Sequence, residues 1–265
     1  YKRQRLNVME TSMKLTKLQD KWAAGGNGLN GWCSIPSSVT AEIMAGYDFD
    51  SLTIDLQHGL VDYQTALTML QAMTASGITP MARVPWNEPG IIMKLLDGGA
   101  LGIICPMVNT PEDAQAFVGA MRYAPEGYRS SGPTRAMLVH GGGYHDAANE
   151  TLVSLAMIET VEALSNVDAI CATDGLTGVY VGPSDLAVSM GYKPGLDRQE
   201  PDVDEAIGTI MAAAQKHGKR AGIHCGAPAY LTSAFVRGFS FATIASDIRL
   251  IGQAIGQNIE EIKRA

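Results

Sequence analysis

Glu159 and Asp185 each stand at or just past the end of an apolar, strand-like run, a pattern suited to a divalent cation. Within GVYVGPSDLA (178–187), Val179, Tyr180 and Val181 form β without a polar break, which reads as a strand buried on both faces. Gly182 and Pro183 end it, Ser184 takes the place of a helix N-cap, and Asp185 falls in the first turn. Two hard carboxylates with open positions suit Mg²⁺ or Mn²⁺, with water and substrate oxygens completing the shell. Such sites also accept Co²⁺ or Zn²⁺. The plainer alternative is a polar pair at a rim, with Asp185 only starting a helix.

Three further groups fall at comparable places. Arg83 ends an apolar run two residues before Pro85, where a held guanidinium fork suits a substrate carboxylate. A salt bridge from Arg83 to Asp97 or Glu159 is the structural alternative. His58 follows Asp55 by three residues, as a general base oriented by a carboxylate would. His224 and Asp247 also close or follow apolar runs. No lysine falls at such a position, so Schiff-base chemistry lacks its amine.

The elements that must position these groups alternate along the chain. Strand-like runs occupy 30–35, 51–55, 79–85, 101–108, 152–159, 178–182, 220–225 and 239–246. Helical patterns lie between them, at 63–76, 89–97, 111–122, 161–170, 204–217, 229–237 and 247–265, and one from Ser37-Ser38 with Glu42 in a loose capping box. Residues 1–26 read as an amphipathic helix on Leu15, Leu18 and Trp22, a candidate to close the bottom of a barrel. Eight strand–helix repeats predict one (β/α)8 TIM barrel domain over 1–265, with 1–26 as a helical extension. A doubly wound sheet is second, since no Gly-rich dinucleotide turn follows the first strand. In a barrel, the C-terminal strand ends surround one mouth, and the polar groups above converge there. The Gly-rich stretch 126–149 is too long for a plain connection and predicts a lid or active-site insertion, with His140, Tyr144 and His145 shaping a pocket.

Composition narrows the partners. Hydrophobic residues make up 46% and charged residues 18%, enough apolar material for a sizeable core. The net charge of −7, without a basic stripe beyond the first two dozen residues, argues against nucleic acid. No apolar run approaches the roughly 18–20 residues of a membrane span, and the first 22 residues show no secretory signal pattern. Cys33, Cys105, Cys171 and Cys225 are widely spaced in apolar contexts. They predict buried free thiols in a reducing compartment, here the cytoplasm.

Six segments together resemble one family, the HpcH/HpaI class II pyruvate aldolases. They are GWCSIPSS (31–38), LTIDLQHGLVDY (52–63), ARVPWNEPGIIMKLLDGGA (82–100), ICPMV (104–108), MIETVEAL (157–164) and YVGPSDLAVSMGY (180–192). The resemblance implies a (β/α)8 barrel, metal ligation by Glu159 and Asp185, and a base at His58 paired with Asp55. It further implies that Arg83 holds the pyruvate carboxylate and enolate, that Ser184-Asp185 add hydrogen bonds, and that Trp32 lines the pocket. Asp97 would support the site near a neighbouring subunit, because family members are commonly hexamers, trimers of dimers with exchanged C-terminal helices. Two positions depart from the family pattern. Gln57 stands where many members carry Glu, and Met157 where many carry Gln. The second leaves the 2-oxo acid donor open.

The expected reaction is reversible cleavage of a 4-hydroxy-2-oxo acid to pyruvate, or a related 2-oxo acid, and an aldehyde. Two alternatives stand beside it. One is a lyase of the citrate-lyase-beta or malyl-CoA type, for which the segment 129–135 is the one basic approach. The other is a barrel that binds oxo acids without turnover.

Overall fold

The computed structural model describes residues 16–264. Eight parallel strands close on themselves in chain order: β1 Gly28–Cys33, β2 Ser51–Asp55, β3 Thr79–Arg83, β4 Gly102–Cys105, β5 Val153–Ile158, β6 Gly178–Val181, β7 Arg220–Cys225 and β8 Phe241–Ile244. β8 pairs with β1 (Gly28 with Phe241, Asn30 with Thr243), so the sheet is a barrel and not an open, doubly wound layer. Several strands are shorter than their apolar runs. Val84, Val108 and Ala245 are buried but lie beyond the ladders, because an apolar run reports burial and not pairing.

Proline sets the return path. Pro89, Pro111, Pro183, Pro201 and Pro228 each open a helix, where a missing N–H costs nothing and φ is already helical. The helix after β6 therefore starts at Pro183 with Gly182 as N-cap, and Ser184 lies inside its first turn instead of capping it. Ser37 does cap its helix, by accepting from Thr40 N–H, but Glu42 takes no part in a capping box. The pattern over 161–170 resolves into two short helices, Val161–Ser165 and Val167–Cys171, and that over 63–76 ends as a 3-10 turn, Thr74–Ser76.

The described part of the N-terminal pattern is the helix Lys17–Ala23, opened by a capping box between Thr16 and Gln19; Leu15 and the residues before it lie outside the described residues. Leu18 and Trp22 enter the lower end of the barrel and pack with Met81, Val153 and Phe241. Trp22 Nε1 donates to Ser240 O at 2.8 Å. A Cβ on residue 28 would lie 2.3 Å from Leu18 Cδ1, so Gly28 is what admits this plug. Above it the lumen is polar: Asn30 Oδ1 accepts from Ser51 and Thr53, and Asn30 Nδ2 donates to Thr243 Oγ1 at 2.9 Å.

Two segments stand apart from the repeat. Residues 126–149 are not a lid over this chain's mouth. They join the helix Pro111–Met121 to the start of β5 and so lie at the opposite end of the barrel, where they form the helix Thr134–His140 and most of Tyr144–Thr151. Arg135 fastens them by donating to Gly98 O at 2.6 Å and Thr74 Oγ1 at 2.7 Å. The last helix, Asp247–Arg264, begins at the mouth, where buried Asp247 accepts from Ser34 and Ile35 N–H at the end of β1. Leu250 still packs on the core; beyond it the helix leaves the barrel, and Ile248, Ile251, Ile255, Ile259 and Ile262 are all exposed. Among the described residues, no helix is long and apolar enough to cross a membrane. The four cysteines are free and buried.

Candidate active site

The mouth is built around one buried ion pair. Asp55 and Arg83 are register partners at the ends of β2 and β3, so their side chains leave the sheet side by side. Arg83 donates from Nε to Asp55 Oδ1 at 2.8 Å and from Nη2 to Asp55 Oδ2 at 2.7 Å, a bidentate fork. Trp32 Nε1 donates to Oδ2 at 3.2 Å, and its ring lies 4.9 Å below the guanidinium carbon. Burial alone would raise the Asp55 carboxyl, but Arg83, Trp32 and the His58 N–H together hold it below the usual carboxylate range. Among the described residues Nη1 of Arg83 makes no hydrogen bond, which leaves it for a ligand.

The pairing corrects one expectation. Asp55 does not orient the His58 imidazole; its oxygens are taken by Arg83, Trp32 and the backbone N–H groups of Gln57 and His58. The reason is geometric: a carboxylate at a strand end meets its register neighbour before it can reach back over a turn. The His58 ring is instead exposed in the mouth, without a hydrogen bond among the described residues. Arg83 also forms neither expected alternative bridge. Glu159 is held by Met107, and Asp97 by Arg129.

Glu159 is 2% exposed at the end of β5. Met107 N–H donates to its Oε1 at 2.8 Å, and Met107 adopts a φ of 54° that a side chain rarely takes. Left-handed backbone costs a non-glycine residue on the order of 1–2 kcal/mol, so packing must hold that N–H on the carboxylate. A Cβ on residue 182 would sit 2.3 Å from Glu159 Oε2; Gly182 is the cradle that lets the other oxygen lie against β6. Burial pushes the Glu159 carboxyl up to about 7, with Asp185 adding to the rise and Met107 N–H and Arg83 opposing it. Asp185 stands exposed in the first turn after Pro183, its carboxylate free of hydrogen bonds among the described residues. Ser184 precedes it, half-buried, in the same wall.

These residues share one cavity of about 310 Å³, lined by His58, Arg83, Met157, Gly182, Pro183, Ser184, Asp185, Leu196 and His224. It thus unites His58, Arg83, Ser184 and Asp185, with Trp32, Asp55 and Glu159 buried in support. It does not include Asp97. The helix Pro89–Asp97 runs back from the mouth, so Asp97 ends at the far face of the barrel, ion-paired at 2.7 Å to Arg129 between the rings of Tyr123 and Tyr144. Among the described residues, no three His, Cys, Asp or Glu side chains gather as a metal cluster, so a cation here would rest on two carboxylates.

Sequence reasoning did not assign Leu196 or Met107, and left His224 without a role. Asp197, at φ 53°, accepts from Gly226 N–H at 2.7 Å and so folds 191–200 over the mouth beside β7. Only proximity to GPSD could have drawn attention to that segment. The Gln57 Oε1 atom is buried without a partner among the described residues. Burial, and then Arg83, push the His224 imidazole down to about 3, so it is neutral.

Residues 32–251 match the HpcH/HpaI aldolase/citrate lyase model, and the chain belongs to that family. It is 42% identical over 249 residues to a hydroxypyruvate/pyruvate aldolase of Rhizorhabdus wittichii, covering 94% of this chain and 99% of that protein. It is 34% identical over 235 residues to a 5-keto-4-deoxy-D-glucarate aldolase of Escherichia coli, covering 88% and 91%. An HpcH/HpaI aldolase/citrate lyase family protein of Burkholderia cenocepacia superposes with a TM-score of 0.86 at 29% identity, covering 94% of this chain and 100% of that one.

The Asp55–Arg83 pair has a pH signature. Asp55 titrates lower when folded, so its contribution is present above the unfolded carboxyl value of about 4 and is lost as pH falls through the folded value. Asp55→Asn, which leaves Arg83 buried and unpaired, is expected to cost about 3 kcal/mol at pH 7. The gap from the native chain should narrow below about pH 4. Urea midpoints across pH 2–7 measure it, and a pH-independent gap would contradict the assignment.

Proposed function

We propose that the chain is a divalent-metal-dependent lyase that reversibly cleaves 4-hydroxy-2-oxo acids to pyruvate, or a closely related 2-oxo acid, and an aldehyde. The observation that carries this reading is the single mouth in which the Arg83 fork, the His58 ring and Asp185 face one cavity beside the buried Glu159. The names of the Rhizorhabdus wittichii and Escherichia coli aldolases support the same substrate class.

Glu159 and Asp185 are the residues that would hold the metal. The fit rests on a buried carboxyl that burial makes costly to ionise alone, and on the Gly182 cradle that leaves room for Oε2. Two oxygen donors suit Mg²⁺ or Mn²⁺ best, and Co²⁺ or Zn²⁺ would also bind. When bound, the ion supplies Lewis acidity at the substrate's 2-oxo group.

The protein's own groups do the rest. Arg83 offers Nη1 to the substrate's carboxylate end, with the fork to Asp55 and the Trp32 face fixing its direction. His58 takes the proton of the C4 hydroxyl. The C4–O bond becomes the aldehyde carbonyl as the C3–C4 pair moves to C2–C3 and the C2=O pair to the 2-oxo oxygen, giving an enolate. Return of that pair, with the proton held by His58 delivered to C3, gives the 2-oxo acid. Leu196 and Met157 keep water from the carbanionic carbon. The basic segment 129–135 lies at the other end of this barrel, which disfavours a CoA thioester as substrate.

The exposed isoleucines of Asp247–Arg264 support a homo-oligomer, and we propose a hexamer in which this helix is exchanged. Sedimentation velocity should show a hexamer, and Ile251→Lys with Ile255→Lys should reduce it to smaller species; a native monomer would refute it.

Pyruvate release from a panel of 4-hydroxy-2-oxo acids tests the reaction. Cleavage should vanish with EDTA and return with Mg²⁺ or Mn²⁺, and indifference to EDTA would remove Glu159 and Asp185 from their role. In the same assay, Arg83→Ala should lower kcat/KM by about 10²–10³. Turnover within about threefold of the native chain would overturn the Arg83 assignment.

A further inference from the structure

His224 lines the mouth, and the reaction just derived gives it nothing to do. Its ring packs edge-on against Trp32 at 4.9 Å between centroids, the same indole that carries Arg83. Its Nδ1 lies 3.2 Å from the Tyr180 hydroxyl. The lumen decides which of these two donates. Asn30 Oδ1 accepts from Ser51 and Thr53, so Asn30 Nδ2 must face Thr243 Oγ1 and donate to it. The Tyr180 hydroxyl spends its one proton on that same Thr243 Oγ1, at 2.6 Å. The Tyr180 oxygen is then free only to accept, and His224 Nδ1–H donates to it. In a neutral ring the other nitrogen, Nε2, carries a lone pair and no proton. Among the described residues it has no partner.

Of the substrate parts already assigned, the C4 hydroxyl gives its proton to His58, and a bare acceptor in the mouth cannot read the others. The carboxylate and 2-oxo oxygens carry no proton, and a lone pair repels them. The methyl of pyruvate offers no donor. A hydroxyl does. His224 and Arg83 share Trp32, and Arg83 takes the carboxylate end, so the nearest substituent that His224 can meet is the one on C3 of the 2-oxo acid.

We propose that His224 Nε2 accepts a hydrogen bond from a C3 hydroxyl of the 2-oxo-acid donor, which makes 3-hydroxylated donors of the hydroxypyruvate type the preferred substrates of this barrel. The inference rests on the lyase reading above and deepens it. Tyr180 and Thr243 set the tautomer, and so the kind of group that is selected. In this chain Met157 faces the same cavity with no polar atom to compete for that hydroxyl. A hydrogen bond of this kind is worth about tenfold in discrimination.

The test compares aldol addition of hydroxypyruvate and of pyruvate to one aldehyde, glycolaldehyde, with Mg²⁺ present. It uses the native chain, His224→Leu and His224→Gln. The readout is the ratio of kcat/KM for the two donors, in which partial loss of folded protein cancels. His224→Leu should lower the hydroxypyruvate-to-pyruvate ratio by about tenfold, and His224→Gln, whose amide oxygen can accept, should restore part of it. Calorimetric Kd values for the two donors without aldehyde should move the same way. A ratio unchanged within about twofold overturns the proposal, as does a loss that follows the hydroxyls of the aldehyde instead of the donor. Exchange of pyruvate methyl protons into D₂O by the native chain separates the two levels. If exchange occurs and the ratio does not move, only the His224 assignment fails; if exchange is absent, the lyase reading fails and takes the assignment with it.

Discussion

A carboxylate and a guanidinium buried side by side at two neighbouring strand ends constrain everything else at this mouth. Asp55 and Arg83 would each be costly to bury alone, and together they are affordable only because the fork is bidentate and Trp32 and two backbone N–H groups fill the remaining positions. That requirement fixes the direction of Arg83, removes Asp55 from service to His58, and seats Trp32 where it carries both Arg83 and His224. Position is what matters for a substrate anion, since a group misplaced by an ångström loses much of its effect.

The rest of the mouth is assembled by backbone, not side-chain, choices. Met107, Asp197 and Ala245 adopt positive φ after β4, after β6 and after β8. Met107 aims an N–H at Glu159, and Asp197 brings the segment carrying Leu196 over the cavity. Such strain concentrates where a rigid scaffold holds it in place. Here the scaffold is the closed ring of strands, plugged from below by Leu18 and Trp22 and tied across the lumen by the hydroxyls and amide around Asn30. The same ties orient Tyr180 and, through it, the imidazole of His224.

Most of the scaffold was legible before any coordinates. The eight apolar runs, the prolines that open the return helices, and the Gly-Pro stop after Val181 follow from local sterics and burial, which act over a few residues at a time. So does the convergence of His58, Arg83 and Asp185 on one mouth beside Glu159, because a parallel barrel places every strand's C-terminal end on one face. The exact strand ends were not legible, since Val84 and Val108 are as apolar as the ladder residues before them.

What the chain alone determined is therefore the ring, its polarity and the identity of the charged groups at its rim. Tertiary structure decided which of those groups pair. Asp55 turned to Arg83 and away from His58 because register across the sheet outranks proximity along the chain. Asp97 and residues 126–149 went to the far end because helices run back from the mouth, a sense that periodicity does not encode. The hydrogen-bonded setting of His224 waited on three contacts between residues as far as 213 positions apart. Protonation is settled by partners, and partners are settled only when the barrel closes.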